Sequence, residues 1–157
     1  VQPPIRQGDI PGVQLRHAGR FELGPEALWA WLTEADKLGR WLAASVEPRA
    51  GDEPGWLLRD VDEAGVALVE DVLTIAADEG KLWVALLERR DDGWESATRV
   101  TLRIEGDGPC ELSVLQQGFE RLNLSRCLTI WELYRRRWRR SFARLRDAVH
   151  PPAATRG

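Results

Sequence analysis

The stretch from Phe21 to Trp41, FELGPEALWAWLTEADKLGRW, decides how the chain is read. Phe21 and Leu23 continue an alternation that begins at Val13. Val13, Leu15, His17, Phe21 and Leu23 fall on one side, and Gln14, Arg16, Arg20 and Glu22 on the other. A period of two with one apolar face predicts a half-buried strand. Gly24 and Pro25 break the period. Proline followed by Glu26 suits the first turn of a helix, where the amide has no partner and the dipole favours an acid. That helix is expected to run to about Thr33. Thr33 followed three residues later by Asp36 is a capping-type pair, which predicts a second short helix whose Leu38, Trp41 and Leu42 share a face.

Beyond Trp41 the chain turns polar over 47–55, with Pro48, Gly51, Pro54 and Gly55, and then gives strand-like runs at 56–61, 66–76, 81–89, 97–105 and 111–117. A further strand is a candidate at 44–49. The spacers at 62–65, 78–80, 91–93 and 106–109 are turn-like. Connections this short impose antiparallel neighbours, because a parallel pair needs a long crossover. The last element is a helix that starts between Asn123 and Ser125 and continues to Val149. Its apolar stripe is expected to comprise Leu124, Leu128, Trp131, Trp138, Phe142, Leu145 and Val149. The same rhythm places Arg135, a charge, on the stripe.

Strand, two short helices, a curved antiparallel sheet and one long C-terminal helix is the element order of the α+β helix-grip fold, in which a sheet, here of six or seven strands, wraps the helix. The quoted segment resembles the START/polyketide cyclase superfamily (SRPBCC), in particular its branch of heat shock protein 90 ATPase activator homologues. The run VLTIAADEGKLWV at 72–84, the hairpin at 101–118 and the ending Trp138, Phe142 and Leu145 are similar too, so the resemblance spans about residues 13–148. It implies a START- and birch pollen allergen-like fold. It also implies a binder of lipids, hormones or polyketides, or a cyclase or hydrolase. The superfamily has no universal catalytic motif, so no catalytic residue is carried over. Two departures stand out: Leu42, Ala43 and Ala44 replace an aromatic and prolines common after the second tryptophan, and Arg137 stands where a glycine often precedes the final one.

The chain has 157 residues, the size of one domain, expected at 13–149 between a flexible leader (1–12) and a flexible tail (150–157). The leader has prolines and no apolar h-region, which points to a cytoplasmic protein. Net charge is −3, and acids outnumber bases, so neither nucleic acid nor anionic membrane is an expected partner. The run YRRRWRR at 134–140 reads as a solvated helix face. No apolar stretch is long enough for a membrane span. Cys110 and Cys127 lack metal spacing and read as reduced, partly buried thiols, with a disulfide between them the alternative. With His17 and His150 the only histidines, no metal or cofactor site is expected. A homodimer through the sheet's outer face or edges is open.

A sheet closing around a helix leaves an apolar cavity with a few placed polar groups. His17 alternates with apolar residues and is a candidate, either a hydrogen-bonded core residue or a ligand contact. Glu70 and Asp71 are adjacent in an apolar strand, so one of them faces inward. Asp60 and Gln116 are candidates by the same alternation. Arg135 must reach solvent, pair with an acid, or hold an anionic ligand group. Of eight tryptophans, Trp41 and Trp131 are placed nearest the cavity mouth. The function expected first is a carrier or sensor that binds a small apolar or amphipathic molecule. A cyclase- or hydrolase-like enzyme using His17 and Glu70 comes second. A co-chaperone comes third, since the eukaryotic activators carry a further N-terminal domain for which 157 residues leave no room.

Overall fold

The computed structural model describes residues 14–49, 51–61, 65, 67–78, 80–91, 94–119 and 124–150. The leader (1–12), Val13, the tail from 151 onward, and the side chains of Trp94 and Leu124 lie outside the described residues. The chain begins with β1 (Gln14–Phe21), α1 (Pro25–Thr33) and α2 (Ala35–Leu38). Six strands follow: β2 (Ser45–Pro48), β3 (Gly55–Val61), β4 (Ala67–Asp78), β5 (Leu82–Asp91), β6 (Trp94–Glu105) and β7 (Cys110–Gln117). The chain then enters α3 (Leu124–Val149). All seven strands form one sheet in the order β1-β7-β6-β5-β4-β3-β2, and every pairing is antiparallel. The short connections produce a meander from β2 to β7. β1 and β2, neighbours in sequence, stand at opposite edges, so α1 and α2 carry the chain across the span.

β1 shows why the sheet has an inside. Leu15 and Phe21 are buried while Gln14, Arg16, Ala18 and Arg20 face out. Gly19 lies on the inner side, where an added Cβ would come within 3.0 Å of the Phe142 ring. Phe142, on α3, occupies that space and is the hub of the core. His17 and Trp138 meet it edge-on at 4.6 and 6.2 Å between ring centres, and Trp41 meets it edge-on at 6.2 Å. Edge-to-face packing at these separations stabilises aromatic pairs beyond simple burial. Leu28, Trp31 and Leu32 on α1 and Leu38 on α2 complete that end of the core.

The second helix does not start as the sequence suggests. Thr33 is the last residue of α1, and its hydroxyl donates to the Trp29 carbonyl at 3.0 Å, a bond back along its own helix. Glu34, extended, stands at the N-cap of α2 without a side-chain cap bond. α2 has four residues only, and Trp41 and Leu42 are buried from the turn that follows it. Both cysteines are buried and no disulfide joins them; the Cys110 thiol donates to the Gly108 carbonyl at 3.1 Å, and burial pushes its pKa up.

Gly55 opens β3 at φ +145°, and a Cβ there would sit 1.9 Å from the Val72 carbonyl oxygen on β4. Neither backbone can yield without breaking the β3–β4 pairing. Gly55→Ala is therefore expected to destabilise the fold by ~2 kcal/mol or more, lowering Tm by about 4–8 °C. Gly108→Ala, whose added Cβ has nothing within 4 Å, is the control that should leave thermal unfolding near wild type.

Candidate functional site

The face of α3 that meets the sheet is set by 3.6 residues per turn. Its buried positions are Cys127, Ile130, Tyr134, Trp138, Ser141, Phe142 and Leu145. A strict 4,3 rhythm drifts against a straight helix by about 20° per heptad. Counted back from Trp138, that rhythm lands on Arg135 and Leu128, whereas the helix buries Tyr134 and Cys127. Leu128 is 47% exposed. The expected charge on the buried stripe is thus misplaced. Arg135 lies beside the stripe, where its Nε and Nη2 donate to Glu132 at 2.9 and 2.6 Å and its guanidinium lies 5.9 Å from the Trp131 ring centre. Those bonds from Arg135 hold the Glu132 carboxyl down at about 2.

Arg137 turns inward where Arg135 does not, with a side chain 11% exposed. Its Nη1 donates to Glu70 Oε1, its Nη2 reaches the Leu42 carbonyl at 3.5 Å, and Asp60 Oδ2 lies 3.7 Å from the same nitrogen. Burial works against the guanidinium charge, but Glu70, Tyr134 and Asp60 outweigh it and raise the pKa. Glu70 is fully buried, and its second oxygen accepts the Tyr134 hydroxyl at 2.5 Å. Of the adjacent acids on β4, Glu70 therefore faces in. Asp71 faces out, where Arg49 Nη2 donates to its Oδ2 at 3.1 Å and Arg49 Nε makes an ion contact with Oδ1 at 2.6 Å.

This cluster closes one side of a gap between the sheet and α3. Leu42, Leu58, Val72, Leu87 and Val100 form aliphatic walls, and Trp83 and Trp138 give aromatic ones. Glu70, Tyr134, Arg137 and Ser141 supply the polar groups. The interior has about 20 Å³ for the centre of a water-sized sphere, and about 410 Å³ of space between atoms when the open mouth is included. The first figure is room for about one or two waters. Anything larger must part the side chains.

The other residues singled out by sequence lie elsewhere. Gln116 is fully buried in the core, where its Oε1 accepts the Trp138 indole N–H at 2.8 Å and its Nε2 donates to the Thr98 hydroxyl at 2.9 Å. It fixes the indole that walls the gap. Trp41 is fully buried and donates to the Trp31 carbonyl at 2.8 Å, while Trp131, part-exposed, donates to the Gln14 carbonyl at 2.9 Å. Trp83 and Trp138 line the gap instead. His17 packs on Phe142 and is not among the lining residues. Sequence reasoning passed over Tyr134, Arg137 and Ser141, and the signal that finds them is the 3.6-residue spacing of 134, 138 and 141 with Arg137 beside it. Among the described residues no group of three or more His, Cys, Asp or Glu side chains could hold a metal, and no helix there is long and apolar enough to cross a membrane.

Two outcomes follow from these environments. Removing one partner of a buried ion pair strands the other charge, so Glu70→Leu and Arg137→Leu should each lose ~3–5 kcal/mol in urea unfolding. The double variant should recover at least half of the summed loss; strictly additive losses would show that the two groups are not coupled. Burial first, then Arg139 and Arg146, lowers the His17 pKa below its ordinary 6.5. The unfolded chain then binds this proton more readily than the folded one, so stability is full above pH 6.5 and falls as pH drops through the folded value. An NMR titration should place the His17 midpoint below 6.5, and His17→Phe should flatten the stability loss in that window.

No family model matches the chain, and no curated protein matches it. Solved structures do. Protein Ms6760 from Mycobacterium smegmatis superposes with a TM-score of 0.73 at 10% identity, over 90% of this chain and 93% of that one. The AHSA1 protein from Silicibacter pomeroyi gives 0.67 at 19% identity, over 86% and 96%. DynU16, from the dynemicin biosynthetic locus, gives 0.67 at 13% identity, over 90% of this chain and 48% of that one. Identities this low establish architecture and nothing finer. The chain has the α+β helix-grip fold, a seven-stranded antiparallel sheet closed by its C-terminal helix.

Proposed function

We propose that the protein binds a small apolar or amphipathic molecule in the gap between the sheet and α3, as a carrier or sensor. The observation that carries this reading is Glu70, a carboxylate with no exposure, set in an otherwise apolar wall and held by Arg137 and Tyr134. A buried ion pair is a poor device for stability, because apolar side chains of similar volume serve as well or better. Charged groups at the end of an apolar gap are what orientation of a ligand needs. On this reading a ligand enters by displacing Trp83, Trp138 and Leu42, the bulky side chains around the small free volume.

The enzyme reading built on His17 and Glu70 has no geometric support. β1 and β4 are separated in the sheet by β7, β6 and β5, and the two side chains face different partners. Helix-grip neighbours that include an AHSA1 protein and a protein of a biosynthetic locus are in keeping with ligand binding without assigning it. The chain purified from its own host is expected to carry a noncovalent mass adduct in native mass spectrometry that disappears on denaturation. Conversion of that adduct on standing would mark an enzyme. No adduct, even after incubation with lipids and aromatic polyketides, would overturn the reading in favour of a filled core.

A further inference from the structure

β1 and β2 are the two edges of the sheet. An edge strand presents N–H and C=O groups that no neighbouring strand pairs, and folds commonly blunt it by brevity, proline or a bulge. β2 is blunted, with four residues ending in Pro48. β1 runs for eight residues without proline, in unbroken register with β7 from Gln14↔Gln117 to Phe21↔Cys110. Successive residues of such a strand turn their backbone groups alternately toward the partner and away from it. Side chains from α3 and from His150, just past its end, hold the two ends of the free side. Trp131 donates to the Gln14 carbonyl at 2.9 Å, and the Glu22 N–H donates to His150 Nε2 at 2.9 Å. By alternation, the backbone groups of Arg16, Ala18 and Arg20 between them point away from β7, and no other strand among the described residues pairs them.

The charges beside this edge limit what can pair with it. On the outer side of the sheet Arg16 and Arg20 are exposed; Arg20 has Glu22 at 4.0 Å and stands across from Glu111, whereas Arg16 stands across from Leu115. On the inner side, exposed Arg139 and Arg146 of α3 lie close enough to His17 for their charge to lower its pKa, and Arg146 lies 5.8 Å from the Phe21 ring centre. Both sides of the edge are thus cationic. A second copy's β1, paired antiparallel about Ala18, would set Arg16 against Arg20, and like charges directly opposed destabilise a strand pair. A strand bearing carboxylates meets an arginine on whichever side they fall. We propose that the free edge of β1 docks an acidic segment of another protein, which adds to the sheet as a further strand. Main-chain bonds to Arg16, Ala18 and Arg20 give the affinity, and the arginines on both sides select the acid. β1 supplies none of the described residues that line the gap, so this surface stands apart from the ligand-binding reading.

The probe is an acetylated and amidated heptapeptide of alternating valine and glutamate, compared at low salt with its counterpart in which lysine replaces glutamate. The acidic peptide should bind the full chain ~10-fold or more tightly than the lysine peptide. On binding, hydrogen exchange of the Arg16, Ala18 and Arg20 amides, followed by 1H–15N NMR, should slow about tenfold or more. Arg16→Glu, at an exposed position, should weaken the acidic peptide about three- to tenfold. Ala18→Pro removes one free N–H without touching the β7 ladder and should abolish the protection; the peptide comparison and the exchange data on the unaltered chain stand even if that variant does not fold. Equal affinity for the lysine peptide would overturn the selection of acid. Binding without protection of the three amides would overturn the strand pairing, and no binding of the acidic peptide would overturn both. A peptide-free dimer that protects the same amides would place a second copy there and overturn the proposal.

Discussion

The ion pair between Glu70 and Arg137 ties the middle of the sheet to the helix that covers it. A carboxylate with no exposure in the middle of a sheet face needs a partner from the layer that covers it, and α3 is that layer. Meeting Glu70 with both the Tyr134 hydroxyl and the Arg137 guanidinium fixes the rotation of α3 about its own axis. With that rotation fixed, Trp138 falls opposite Gln116 and Phe142 falls against His17 and Gly19. The apolar contacts along α3 supply the burial. The polar ones choose among the rotations that would bury comparable area, which is the kind of specificity a buried polar group confers when all its partners are satisfied.

The sheet was legible because it rests on local rules. Alternation in β1 and β7, and turn residues between the runs, give the strands within a few positions, and even β2, four residues long, lies inside the 44–49 candidate. The phase of α3 was not legible from its apolar residues, because they fall on two overlapping stripes, one through Leu128, Trp131 and Arg135 and one through Cys127, Ile130 and Tyr134. Arginine at 135 was the clue against the first stripe. A mid-stripe charge is better evidence of a wrong phase than of a functional cation, since a single-position shift exposes it to Glu132 and solvent. Thr33 misled for a different reason: a hydroxyl at a helix boundary can cap the next helix or bond back into its own, and here it bonds back to the Trp29 carbonyl.

Of the candidate site, Glu70 was within reach of the sequence and its partners were not. Alternation says that Glu70 or Asp71 faces inward, and no local pattern says which. The answer depends on register: Leu58 and Glu70 face each other across β3 and β4, and Leu58 is in the core. Asp71 then has the outer face, with Arg49 in reach. Long-range pairing of this kind links residues far apart in sequence, and a periodicity argument works only within one element.

Arg137 also joins the gap to the segment after α2. Its Nη2 reaches the Leu42 carbonyl while its Nη1 is on Glu70, so one guanidinium spans α3, β4 and the turn that carries Trp41 and Leu42. The planar fork of arginine can serve two such acceptors at once, which a lysine ammonium on its flexible stem does less well. Leu42 is a wall of the gap, and its backbone is tied to the residue that closes the polar side. Opening the gap by moving Leu42 therefore lengthens a contact to Arg137, and anything that turns Arg137 loosens Leu42. The packing of Leu42 and the buried charge pair are in this sense a single arrangement.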